Sequence, residues 1–309
     1  MERPSCYSGN IEGASMKKTL GLVVFLAAIL AVSAFAQAYS VTYADGTVEL
    51  KTPKGWAGLS IGDAVPPNAS VRVSQSGSLE LSRGKSRITI LKDGTYDIAS
   101  LVRASQKSGA GGIGVNISQK LQSLTSDKPK STTVGGVRAD QQGQQSVTWA
   151  EESDEVRSEV ASLLAQRKYQ DALKTLDNAM EDASSPADEQ EFTYLMGAAY
   201  YGDGQTARAY RTLSRVSADP GAQWYANYVL LKAQVLVDSA DYTGALGLLQ
   251  PFISANPSGE PAQIAYLLSS YCQKGLGNDA ESMAALDAGY QIDPSSDTAK
   301  LIDQQRKAQ

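Results

Sequence analysis

Reaction chemistry in proteins draws first on histidine, and this chain has none among its 309 residues. Its absence removes the commonest general base, the commonest zinc ligand and the usual partner of a nucleophilic serine. Carboxylate pairs remain. Asp154/Glu155 and Asp188/Glu189 are better explained as favouring helix N-termini than as a cleavage pair, because acidic groups stabilise the positive end of a helix. Gly109, Gly111 and Gly114 fit the outline of a dinucleotide-binding turn. That chemistry also needs a strand feeding the turn and an acidic residue about 20 positions on, and the Ser/Gly-rich surroundings read instead as a linker. Of the two cysteines, Cys6 lies near the start, and Cys272 is expected to be a small buried hydrophobe. The inventory points away from an enzyme and calls for no cofactor and no metal.

The elements that would position any site fall into unlike halves. Met16-Lys17-Lys18 is followed by "TLGLVVFLAAILAVSAFA" and then by Ala34-Phe35-Ala36 and Ala36-Gln37-Ala38. A basic start, an apolar run and an A-x-A site describe a secretory signal peptide. The expectation is an exported chain of the periplasm or outer envelope, with residues 1–38 as upstream extension and leader. An uncleaved anchor is the rival reading. Removing 1–38 takes the net charge from −5 to about −6. A mildly acidic chain without Lys/Arg clusters is a poor holder of a phosphate backbone, so nucleic acid is not an expected partner. Cys272 would then be alone, and stability would rest on buried apolar surface.

From Tyr39 to Arg103 the chain alternates. "TVELK", "VRV", "SLEL", "RITIL" and "TYDI" place apolar residues at every second position between turn signals such as Asp45-Gly46 and Asp93-Gly94. Period two with polar alternates predicts strands with one face packed and one wet. This stretch resembles the FecR-type periplasmic domain, through "GWAGLSIGDAVPPNASVRV" and the strands after it. The recurring elements fall on Trp56, Leu59, Gly62, Asp63, Pro66, Pro67, Val71 and Val73. The resemblance implies an envelope β module. It does not carry over a sigma-factor-holding role, since at most 18 residues precede the apolar run. Residues 104–150 read as a linker with a short helix marked by Ile117, Leu121 and Leu124.

Beyond Ser153 the pattern becomes helical and repeats itself. "RKYQDALKTL", "QTARAYRTL", "DYTGALGLL" and "NDAESMAAL" align Ala172, Ala209, Ala245 and Ala280, at separations of 37, 36 and 35 residues. Tyr200 and Tyr271 stand nine residues before two of these alanines, and Gly204 and Gly275 fall at bends. The pattern resembles the tetratricopeptide repeat, in about four copies. The family implies helical hairpins in which a small residue lets two helices cross closely, and stacking hides the apolar face that one hairpin cannot bury alone. "SSDTAKLIDQQRKAQ" reads as a polar capping helix.

The expected whole is a multidomain chain: 39–103 a small all-β FecR-like module, and 151–309 an all-α solenoid of tetratricopeptide type with its cap. Counting back from the alanines, the inner face should present Glu191, Tyr194, Tyr201, Asn227, Gln234, Asp238, Ser269 and Gln273. Tyrosines, amides and carboxylates suit recognition of other envelope proteins or extended peptide segments. Cell-wall glycan or a small ligand bound by the β module, with the repeats docking a partner, is the alternative. The cluster Trp224, Tyr225, Tyr228 is expected to pack between repeats.

Overall fold

The computed structural model describes residues 38–84, 86–107, 144–183 and 185–308. The leader, the Gly109–Gly114 turn and the expected helix near Ile117 lie outside these residues.

The β half contains β1 (Tyr39–Asp45), β2 (Val48–Thr52), β3 (Gly55–Gly58), β4 (Ala64–Val65), β5 (Ser70–Val73), β6 (Ser78–Arg83), β7 (Ser86–Ile90) and β8 (Gly94–Asp97). They form two antiparallel four-stranded sheets, ordered β4-β1-β6-β7 and β3-β2-β5-β8. Cross-strand apolar pairs build the interior: Val48 faces Val73, Leu50 faces Val71, and Leu79 faces Ile90. These residues, with Tyr39, Val41, Val65 and Leu81, make one core shared by both sheets. α1 (Ile98–Lys107) follows directly and plugs that core with Ile98.

One strand departs from the expected alternation. In β6 all four residues from Ser78 to Leu81 are buried, including Glu80 at 3% exposure. Period two predicts a wet face for Glu80. The helical half covers that face instead.

The helices are α2 (Gln144–Ala165), α3 (Tyr169–Glu181), α4 (Pro186–Gly202), α5 (Thr206–Leu213), α6 (Tyr225–Asp238), α7 (Tyr242–Ala255), α8 (Gly259–Gly275), α9 (Asp279–Ile292) and α10 (Asp297–Ala308). Neighbours in sequence pack as hairpins: α2 on α3, α4 on α5, α6 on α7, α8 on α9. α2, α4, α6 and α8 also touch in succession, whereas contacts between consecutive second helices are weaker. The closer spacing on the first-helix side is what curvature toward that side produces. α10 closes the last hairpin with Ile302.

The repetition is strictest in the backbone. Arg167, Gly204, Ala240 and Gly277, at 37, 36 and 37 residue intervals, each adopt positive φ between +57° and +82°. The next residue caps the second helix in one shared conformation: Lys168, Gln205, Asp241 and Asn278 have φ between −93° and −85° and ψ between 62° and 71°. Their N–H groups donate to the carbonyls of Leu163, Tyr200, Leu236 and Gln273. Four residues after each cap lies a buried small side chain, whose N–H donates to the cap carbonyl: Ala172, Ala209, Ala245 and Ser282.

The fourth of these corrects the sequence alignment. Ala280 is the second residue of α9 and is exposed. The crossing is occupied by Ser282, whose Oγ lies 2.9 Å from Ser270 Oγ and donates to the Ser270 carbonyl at 3.0 Å. A hydroxyl fits the close crossing because its own helix partner supplies the hydrogen bonds. With that shift, Gln273 and not Tyr271 holds the slot of Tyr200. Asp188 and Glu189 occupy the first turn of α4, capped by Ser185, but Asp154 and Glu155 lie inside α2, which starts ten residues earlier than that pair.

Candidate docking surface

Arg157 on α2 gathers the acids at the start of the array. Its guanidinium donates to Asp154 Oδ1 at 2.8 Å, to Glu191 Oε2 at 3.0 Å and to Asp188. Burial pushes the Glu191 carboxyl up, against the pull of Arg157. Glu191 is therefore half-buried and occupied in joining α4 to α2.

Tyr194 is 2% exposed and stacks on Trp224 at 5.3 Å, with Tyr228 edge-on at 6.3 Å. Burial pushes its hydroxyl far up. Trp224 and Tyr228 are thus packing between hairpins, with Tyr228 Oη donating to the carbonyls of Leu213 and Val216. Gln234, fully buried, donates to Asp238 Oδ1 at 2.7 Å, and Tyr201 Oη donates to Asp238 Oδ2 at 2.7 Å. The Asp238 residue is exposed, yet burial pushes its carboxyl up to about 6 against the pull of these two hydrogen bonds, and the trio ties α4 to α6. Ser269 is buried. Asn227 and Gln273 are half-buried, the latter accepting from Asn278 Nδ2 at 2.8 Å.

The structure therefore splits the eight expected face residues. Glu191, Tyr201, Asn227, Asp238 and Gln273 reach the surface of the first helices; Tyr194, Gln234 and Ser269 are interior. Position decides the split for the two tyrosines: Tyr194 lies against Trp224 and Tyr228, whereas Tyr201, two helical turns on, reaches Asp238 at the surface. Tyr200 and Tyr271 are half-buried, the latter edge-on to Tyr242 at 6.3 Å. Close approach of helices at the turns rests on glycine: a Cβ on Gly202 would lie 2.3 Å from the Tyr169 ring, and one on Gly275 2.4 Å from Tyr242.

Cys272 is buried in α8. Burial, with Asp241 adding to it, pushes its thiol up to about 12, so the thiolate that reacts or binds metal is scarce at neutral pH. Among the described residues no group of three His, Cys, Asp or Glu could hold a metal ion, and no helix is long and apolar enough to cross a membrane.

The β half and the helical half pack on one another. Glu80 reaches across and accepts from the backbone N–H of Ala207 at 3.1 Å, in the first turn of α5. Its other oxygen accepts from Thr42 at 3.2 Å, with Arg87 3.8 Å away. Gly204, at φ +75°, lies against the Arg87 guanidinium, which a Cβ there would meet at 2.4 Å. Leu91 packs on the helical core, Lys92 pairs with Asp241 at 2.6 Å, and Arg211 pairs with Asp45. The hydrogen-bond and ion-pair partners on the helical side, Ala207, Asp241 and Arg211, lie on α5 or at the turn before α7. Beside this seam opens a cleft of about 630 Å³, lined from the β unit by Tyr43 and Leu91 and from the helices by Met196, Tyr200, Arg208 and Arg215. The arginines of "RAYRTLSR" were the available signal for it.

Comparison with known proteins adds a remote likeness. No family model matches the chain, and no curated protein matches it. Two solved chains do. "MamA 41-end from Desulfovibrio magneticus RS-1" is 20% identical, covers 51% of this chain and 89% of its own, and superposes with a TM-score of 0.40. "MamA RS-1 ArsTM double mutant" is 19% identical over 51% and 88%, also at 0.40. Likeness at that level fixes neither family nor function.

Proposed function

We propose that the chain is a non-enzymatic interaction scaffold of the cell envelope. In this reading it comprises a FecR-like β module (39–103), a linker (104–150) and four tetratricopeptide-type repeats with a cap (151–309), behind a leader (1–38). The first-helix face takes an extended segment of another envelope protein. One observation carries the reading: among the described residues, the hydrogen bond and ion pairs from the β unit to the helices go to α5 and to the turn before α7, not to the expected face residues of the first helices. A stacked-hairpin array offers such a face to a peptide or partner helix. Asp238 and Gln273 supply hydrogen-bonding groups there.

Site-specific photocrosslinking of the full chain in cells tests it. A crosslinker at Asn227, Asp238 or Gln273 should trap the same envelope protein, whereas one at exposed Lys174 or Gln250 on second helices should not. Equal trapping from both sets, or none from the first, sinks the proposal.

A further inference from the structure

We infer that the cleft between the β unit and the second hairpin is a binding site for a small molecule carrying a phosphate or carboxylate group on a ring-shaped body. The inference stands apart from protein docking on the first helices, and either can fail alone.

Volume comes first. About 630 Å³ lies within the range of small-molecule pockets. Charge comes second. The whole chain carries −5, yet three arginines, Arg208, Arg211 and Arg215, line this cleft against one acid, Asp45. Arg211 is taken by Asp45. Arg208 and Arg215 make no ion pair among the described residues, so the cleft keeps a local surplus of two positive charges. The end of α5 does not explain that surplus by itself, since the carbonyls of Tyr210 and Thr212 already accept from the N–H groups of Ser214 and Arg215.

Orientation comes third. The Arg208 guanidinium lies 5.6 Å from the Tyr43 ring and 6.0 Å from the Tyr200 ring, one from each half of the molecule. Aromatic faces hold a guanidinium without consuming its N–H groups, which stay free to fork onto an oxyanion. Met196, Leu91 and the tyrosine rings supply the apolar wall for the ligand's body. A bare ion would leave that wall unused; a neutral ring would leave the arginines unused.

Isothermal titration of the full chain with phenyl phosphate, benzoate, inorganic phosphate and benzyl alcohol is the test. Phenyl phosphate and benzoate should each bind saturably at one site, phenyl phosphate more tightly because it carries more charge. Inorganic phosphate should bind more weakly than phenyl phosphate, and benzyl alcohol should not bind. Arg208→Gln combined with Arg215→Gln should weaken phenyl phosphate by about tenfold or more, the scale of a lost charge-assisted hydrogen bond, with the unfolding midpoint unchanged. If the double variant unfolds, Arg215→Gln alone gives the reading, because that side chain is exposed. No saturable binding of either anion overturns the inference. So does undiminished binding by a folded variant, or benzyl alcohol binding as well as phenyl phosphate.

Discussion

A side chain four residues into a second helix has no room to grow. Ala172, Ala209 and Ala245 are fully buried where first and second helices cross, and each sits one helical turn from its cap. Ala209→Leu should therefore lower stability by about 1–3 kcal/mol through overpacking. Ser282→Leu should cost at least as much, since it also strands the Ser270 hydroxyl that Ser282 satisfies. Ala280→Leu, on the exposed side of α9, should stay within about 0.5 kcal/mol of the parent. Urea unfolding of the three variants reads all of this, and a large loss in Ala280→Leu together with a neutral Ser282→Leu would restore the alignment drawn from residue type. That alignment took Ala280 because alanine matched alanine. The sequence did mark Ser282 through its glycines: it stands seven residues after the first glycine of Gly275-x-Gly277, as Ala209 does after Gly202-x-Gly204, and both second glycines take positive φ.

At the scale of the element, each hairpin turns through one left-handed residue. Glycine stands there in two hairpins, and Arg167 and Ala240 stand there in the others at φ +58° and +57°. A side chain in that region costs about 1–2 kcal/mol, partly offset by the greater freedom a glycine loses on folding. Ala240→Gly should thus stabilise the chain by about 0.5–1 kcal/mol, seen as a higher unfolding midpoint at unchanged denaturant slope. A drop in the midpoint would show that Ala240 contributes packing that outweighs its strain. Gly204→Ala should go the other way, from strain and from the collision with Arg87 together. The strands and helices themselves were legible: alternation placed the strands of the β unit, and the alanines at 37 and 36 residues placed three of the hairpins, the fourth being set two residues early. α1 was not, because "IASLVRASQK" follows a strand without a break and Ile98 belongs by burial to the β core.

For the whole molecule, the decisive contact is between residues 127 positions apart. Glu80 and the Ala207 N–H satisfy each other at the seam, one a buried carboxylate and the other a helix-start donor that would lack a partner. The surrounding ion pairs are partly exposed, and such pairs add about 0–1 kcal/mol each and weaken with salt. Glu80→Ala should therefore cost about 1–3 kcal/mol and expose the Ala207 amide to exchange, whereas 1 M salt should leave that amide protected in the parent. Hydrogen exchange followed by NMR or mass spectrometry distinguishes the two; rapid exchange at Ala207 in the parent would mean that the β unit does not stay seated.

Sequence alone determined the two kinds of element and their order, because backbone periodicity and the demand to bury apolar side chains are local and repeat within a few residues. It also removed histidine chemistry, which no folding can restore. Only the tertiary structure decided which polar residues are interior, that Glu80 faces α5 and not solvent, and that Arg208 meets tyrosines from both halves. Those outcomes depend on which surfaces come together across a hundred residues of chain, and a single sequence carries the strength of each surface but not its partner.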